Sequence, residues 1–292
     1  MTTVTNPGRP QTAPNRRRSR TVRRLVIALA VLIGLLVAAD FGAAAVFEHE
    51  VSQRARAHFG LADDPSVKVG GFSFLLQAFS GEYDHVTVDA KGVPVKDTLR
   101  DVEVHADLMG VQAPLGDLIS GSLKGVPIRE VDGQVKIKAS DVNRAISENE
   151  NNLVKTFTRL TIDPVSEQLA TTKPADGQEE PPADEDQEDT TAGFRMCGTV
   201  DIASQSTDIC VFGIISLVEQ KINIDPKRLE IRNGLTTGSL SPQLQAPVLA
   251  LFRRTLDPGA LPFSVTPTAV KVDPGVLSVK GKARDVVLTG GG

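Results

Sequence analysis

Val131-Asp132-Gly133-Gln134-Val135-Lys136-Ile137-Lys138-Ala139 alternates residue by residue, and that period of two decides the fold. Successive side chains of a strand point to opposite faces. Val131, Gly133, Val135, Ile137 and Ala139 therefore share one face, with Asp132, Gln134, Lys136 and Lys138 on the other. The pattern recurs in Val86, Val88 and Ala90 around Thr87 and Asp89, and in Val102, Val104, Ala106 and Leu108 around Glu103, His105 and Asp107. It returns in Ile222, Ile224, Leu229 and Ile231, and in Leu277, Val279, Gly281 and Ala283. Strands that are polar on one face only belong to antiparallel sheets packed on one side. Helices are fewer. Ser241-Pro242 reads as an N-cap and first-turn pair, after which Leu244, Val248, Leu251, Phe252 and Thr255 fall on one face up to Asp257-Pro258-Gly259. A shorter helix is predicted over Leu115–Leu123 and another from about Asp141. The expected class is α+β, with long curved antiparallel strands and one or two helices lying on them.

The N-terminus carries a different signal. Arg16, Arg17, Arg18, Arg20, Arg23 and Arg24 precede an apolar run from Leu25 to Ala39, which resumes after Asp40 through Phe47. The 23 residues from Leu25 to Phe47 reach roughly 34 Å as a helix, enough to cross a hydrocarbon core. The positive-inside rule keeps the Arg cluster cytoplasmic and sends the chain beyond Phe47 outward. Residues 25–47 read either as an uncleaved signal anchor or as a secretory signal peptide cut after Ala43-x-Ala45, which would leave a secreted or periplasmic domain. Phe47, Val51, Ala55 and Phe59 continue helical spacing beyond the span, favouring the anchor. Asp40, two-thirds along, requires the outer interface or a partner.

Net charge is −4 but unevenly spread. Residues 1–24 hold seven Arg and no acid and read as a disordered basic cytoplasmic tail; residues 173–189 hold eight acids against one Lys. Residues 171–192 therefore read as a disordered acidic insertion in a domain spanning 48–290. The rest has no basic excess, and one Tyr and no Trp leave few platforms for stacking bases, so a nucleic-acid partner is not expected.

The sequence holds no Gly-x-Ser-x-Gly, no Gly-x-Gly-x-x-Gly and no phosphate loop, and His49, His58, His85 and His105 lack ligand-like spacing. No enzymatic constellation, metal site or cofactor is expected. Cys197 and Cys210 lie on two apparent hairpin arms with a turn near Ser204. Outside the cytosol such a pair forms a disulfide; two buried thiols are the alternative. Gly70-Gly71-Phe72-Ser73-Phe74-Leu75-Leu76-Gln77-Ala78-Phe79 concentrates three Phe in a chain poor in aromatics. It reads either as a core plug or as an apolar groove or membrane-facing loop.

Gly71-Phe72-Ser73-Phe74-Leu75, the run Gly81 to Val88, Leu99 to Val104 and Pro114-Leu115-Gly116-Asp117-Leu118 together resemble the LmeA-like phospholipid-binding family of high-GC Gram-positive bacteria. The family usually has Pro between the two Phe, where this chain has Ser73. The resemblance covers roughly residues 48–290 and implies an extracytoplasmic lipid-binding protein with a fold like the tubular lipid-binding proteins, in which curved antiparallel sheets wrap one or two long helices. It supplies no catalytic residues. The function expected is a membrane-tethered binder of phospholipid or glycolipid acyl chains that supports envelope lipid and lipoglycan maintenance. Phe72, Phe74, Leu75, Leu76 and Phe79 would form the entrance or lining of its cavity, and Leu115, Leu118, Ile119, Leu244, Val248, Leu251 and Phe252 its helical walls. Expected partners are the lipid, the cytoplasmic membrane and an envelope glycosyltransferase. The alternative is an envelope scaffold steadying a membrane enzyme without lipid cargo.

Overall fold

The computed structural model describes residues 16–95, 99–120, 125–147, 158–173, 189–202, 205–233, 236–239, 245–246, 249–250, 252–256 and 265–287. Helix α1 runs unbroken over Arg16–Phe59. Its portion Arg20–Ala57 is long and apolar enough to cross a membrane, and its apolar window is fully exposed. Gly60, at φ 62, ends it in the left-handed conformation that favours glycine. Ala43, Ala44, Phe47 and Val51 on the later turns pack against the body of the protein. Their spacing puts them on one helical face, so the helix leaves its exposed segment and enters the fold without a joint.

Twelve described strands form two antiparallel sheets. The first sheet takes β1 (Ser66–Gly70), β2 (Glu82–Val95), β3 (Leu99–Gln112) and β4 (Pro127–Lys138), then the C-terminal β11 (Thr266–Asp273) and β12 (Val276–Val287), in the order β1-β2-β3-β4-β12-β11. Between them lie α2 (Phe74–Ser80), α3 (Leu115–Ser120) and α4 (Ala139–Ser147). The second sheet is built from β5 (Thr158–Val165), β6 (Thr191–Ile202), β7 (Gln205–Val218), β8 (Lys221–Asn233) and β10 (Arg254–Leu256), in the order β10-β8-β7-β6-β5, with β9 (Thr236–Ser239) also pairing β8. Helix α5 (Glu167–Thr171) comes after β5.

Among the described residues, three apolar clusters hold these layers. Val270, Val272 and Leu277 of the first sheet pack on Phe194, Val211, Ile215 and Leu229 of the second. At the other end of the first sheet, Phe47 of α1 and Phe74 of α2 meet Tyr83, Val111 and Ile128. Phe47, Phe74 and Tyr83 form an aromatic trio with ring centroids 5.1 to 6.5 Å apart. The third cluster joins Leu169 and Ala170 of α5 to Cys210 and Phe212.

Four of the five predicted strands lie within longer ones, the fifth ends one residue early because Ala139 opens α4, and the α+β class with curled antiparallel sheets is what the structure has. The predicted helix from Asp141 starts two residues earlier, at Ala139. The one predicted over Leu115–Leu123 is observed over Leu115–Ser120, and 121–124 fall outside the described residues. Residues 245, 246, 249, 250 and 252 are helical, but the helix predicted to include Thr255 has ended by then. Arg254–Leu256 instead pairs with β8, placing Thr255 opposite Asn223, and the two side chains hydrogen-bond at 2.8 Å. Open ladder groups on β8 capture this segment, overriding its local helical period. Cys197 faces Cys210 across β6 and β7, and a disulfide joins them. It closes a short loop, so the Cys197→Ser, Cys210→Ser double variant should lose about 2–3 kcal/mol. A lower Tm on reduction of the wild type but not of the variant checks this.

Candidate functional site

Both faces of the first sheet can be read from its register. On the apolar face Val67, Val88, Ala106, Gly133 and Gly281 stand in one row across five strands. One row beyond are Val86, Leu108, Val131 and Ala283, which belong to the cluster under α1 and α2. On the other side Ala90, Val104, Val135 and Val279 are aligned, then Ile137 beside Leu277. Val279, Leu277 and Ala139 already belong to the inter-sheet cluster. Between the two clusters Val88, Val104, Ala106, Gly133, Val135 and Ile137 are only half-buried. Four residues along the strands and two strand spacings across make this a patch of roughly 13 by 10 Å. Full burial of a Val or Ile side chain contributes ~1.5–3 kcal/mol relative to exposure. Leaving a contiguous group of them half-covered on an inward face is therefore unusual, and such patches mark ligand or partner sites. The middle row is shallow. Among the described residues, a Cβ added at Gly133 would meet nothing closer than 3.9 Å.

The end of this face nearest α1 is built around Asp40. Its carboxylate accepts from Ser73 Oγ (2.8 Å), the Phe74 N–H (3.0 Å) and the Leu75 N–H (2.8 Å), capping α2 from another helix. Ser73 Oγ in turn accepts from the Leu76 N–H at 3.5 Å. Ser73 sits at φ 50, which proline cannot reach. The serine that stands where the family usually has Pro thus makes a turn of its own, held by Asp40. Buried Gln77 anchors the same helix, donating to the Gly70 carbonyl and accepting from the Asp84 N–H. Glu48 accepts from the Val69 N–H of β1 at 2.8 Å, and Ser52 donates to the Pro65 carbonyl. These contacts lie on both sides of Ala43-x-Ala45.

Helix α2 keeps Phe74 inward at 7% exposure and turns Leu76 (62%) and Phe79 (95%) outward, with Phe72 (85%) just before it. Leu75 is partly exposed. Leu115 and Leu118 of α3 pack on the same cluster while Ile119 is exposed. Helices α2 and α3 border an open cleft of about 470 Å³, lined by Phe79, Leu115 and Pro127 and by the polar Ser80, Glu82 and Gln112 among others. Phe252 packs on the inter-sheet cluster, whereas Leu244, Val248 and Leu251 lie outside the described residues. The structure therefore brings the α2 and α3 residues together and adds the apolar face between the clusters. That face was missed because alternation identifies an inward side chain but not whether anything covers it.

The polar face of the same sheet carries a compact network. His105 hydrogen-bonds Asp89 through Nδ1 (2.6 Å) and Asp107 through Nε2 (3.1 Å), while His85 and Thr87 also reach Asp107. Among the described residues no group of three or more His, Cys, Asp or Glu could hold a metal ion. The hydrogen bond to Asp89, helped by Asp107 and opposed by burial, raises the His105 pKa above 6.5. Burial pushes Asp107 upward, but hydrogen bonds from Thr87, His85 and His105 outweigh it and leave its pKa below 3.8. His105 therefore stabilises the fold fully below pH 6.5 and loses that contribution as pH rises through its raised folded value. Asp107 stabilises above pH 3.8 and loses it as pH falls through its lowered value. Stability from this cluster should peak in mild acid and decline toward alkaline pH, by less than ~1 kcal/mol because the rings are screened by solvent. A Tm series against pH, flattened by His105→Gln, checks the sign.

The sequence model of the LmeA-like phospholipid-binding family matches residues 38–282. The chain belongs to that family. The match starts at Ala38, ten residues before the resemblance recognised from short motifs, and so includes Asp40 and the packed end of α1. No curated protein and no solved structure matches the chain. The family is one of phospholipid binders, not an enzyme family, which supports a lipid as partner. It lends no support to the envelope glycosyltransferase considered from the sequence. The single apolar N-terminal helix fits a signal anchor.

Proposed function

We propose that this protein is a single-pass membrane protein that holds phospholipid or glycolipid acyl chains against the apolar face of its first sheet, outside the cytosol. The basic tail, residues 1–24, stays in the cytoplasm, 25–47 spans the membrane, and the domain over 48–290, with its acidic insertion at 171–192, faces the envelope. The observation that carries this reading is the half-buried apolar patch between two packed clusters, in a member of a phospholipid-binding family. An acyl chain supplies the cover that the protein's own side chains leave incomplete, and it needs no hydrogen bonds along its length. Lipid and lipoglycan maintenance in the envelope is the role such a binder would serve.

Retention of the anchor is supported by the stem. Cleavage after Ala45 would remove Asp40 from α2 and expose the end of a helix that Phe47 and Glu48 tie into the fold. A C-terminally tagged chain should therefore remain full-length and carbonate-resistant in the membrane fraction. The central test is lipid extraction from the purified full chain, followed by mass spectrometry. Diacyl lipid recovered in stoichiometric amount is the expected result. A chain that carries none, and takes up none from phosphatidylglycerol vesicles, is not a lipid binder.

A further inference from the structure

The hydrogen bonds to Asp40 fix where α2 lies relative to the span, which has a consequence for how lipid reaches the protein. With Arg24 at the inner boundary, the 15 residues from Leu25 to Ala39 rise about 22 Å, leaving Asp40 roughly 8 Å short of the far side of a ~30 Å hydrocarbon core. Helix α2 is clamped to Asp40 at that level by Ser73, Phe74 and Leu75. Residues 70–81 contain no charged side chain. Phe72, Leu76 and Phe79 are exposed there, and Phe41 and Val46 of α1 are exposed on the neighbouring turns at 72% each. The carboxylate that would be costly in hydrocarbon is itself satisfied by three donors.

We infer that α2 is an intramembrane foot. Resting on the membrane topology proposed above, it lies in the outer leaflet beside α1, with Phe72, Leu76 and Phe79 among the acyl chains. The occupant of this apolar surface is thus the outer leaflet of the bilayer that α1 crosses. The cleft between α2 and α3, which Phe79 lines, then opens onto the leaflet instead of onto water. Lipid enters sideways, tail region first, without crossing an aqueous gap. Asp40 is the positioning residue that sets the depth.

The chain has no Trp, so Phe79→Trp gives a single reporter in the full-length protein. Val218→Trp, at the exposed turn between β7 and β8 of the second sheet, gives a comparator. Both are reconstituted in phosphatidylcholine–phosphatidylglycerol vesicles containing lipids brominated at defined acyl carbons. At the ~5–10 Å depth of an interfacial helix, the Trp at 79 should emit to the blue and lose about half its intensity to bromines near the carbonyl end, while that at 218 is unaffected. Asp40→Ala should weaken the quenching at 79, with Asp40→Asn, which keeps an acceptor, falling between. Unquenched emission at 79 overturns the inference, whether red-shifted from water contact or blue-shifted from cover by a second copy. Undiminished quenching in folded Asp40→Ala overturns the role of Asp40. A chain that still co-purifies with lipid but shows no quenching loses the foot and keeps the proposed function; quenching without bound lipid does the reverse.

Discussion

Asp141→Ala should destabilise the protein by about 2–3 kcal/mol, because it removes a buried carboxylate that serves two backbone donors and an exposed arginine. Asp141 is fully buried in the first turn of α4. Its carboxylate accepts from the Arg100 N–H at 3.3 Å and the Asp101 N–H at 2.9 Å, both at the start of β3, and pairs with Arg144 at 3.0 Å. Alanine would leave two backbone donors without their acceptor and a guanidinium without its partner, while the lost volume is small. The penalty is therefore electrostatic and not one of packing. Asp141→Asn retains the shape and one acceptor oxygen and should lose less than half as much. Thermal and urea unfolding of the full chain in detergent measures both. Equal stability of Asp141→Ala and wild type would show that the α4–β3 junction holds by apolar contact alone.

Gly133→Leu should reduce bound lipid about tenfold, equivalent to ~1.4 kcal/mol and within the ~1–3 kcal/mol typical of overfilling a site. Gly133 lies in the half-buried part of the middle row, opposite Ala106 on one strand and the buried Gly281 on the other. Among the described residues a Cβ there has no atom nearer than 3.9 Å, so the strand should accept a side chain. The Leu would occupy the space assigned to an acyl chain. Leucine also suits a strand better than glycine, so Tm should hold or rise slightly. Lipid per chain by mass spectrometry and Tm are measured on the same preparation. A folded Gly133→Leu protein that carries lipid at the wild-type level would move the site elsewhere.

Much of this could be read from residue order. The strands around Val88, Val104, Val135, Ile224 and Val279 announce themselves because a pleated backbone sends neighbouring side chains to opposite faces whatever surrounds it. The apolar span and its Arg flank are equally local, and Cys197 and Cys210 lie at equal distances from their hairpin turn. Two features resisted reading. Thr255 follows a helical period yet joins β8, because pairing with an open edge outweighs a weak propensity at a helix end. The Phe72–Phe79 stretch admitted both a buried and an exposed reading, and the structure uses both: Phe74 goes into the aromatic trio while Phe72 and Phe79 face outward.

The sequence by itself determined which side chains face inward along each strand and that one N-terminal segment is able to span a membrane. Those properties come from steric alternation and from length and hydropathy, all of which act over a few neighbouring residues. Tertiary structure alone decided where the inward face stays half-covered, because cover comes from elements distant along the chain. It also decided what Asp40 is for, since the donors that satisfy its charge are more than 30 residues away, on a helix that has no position until the sheet and α1 bring it there.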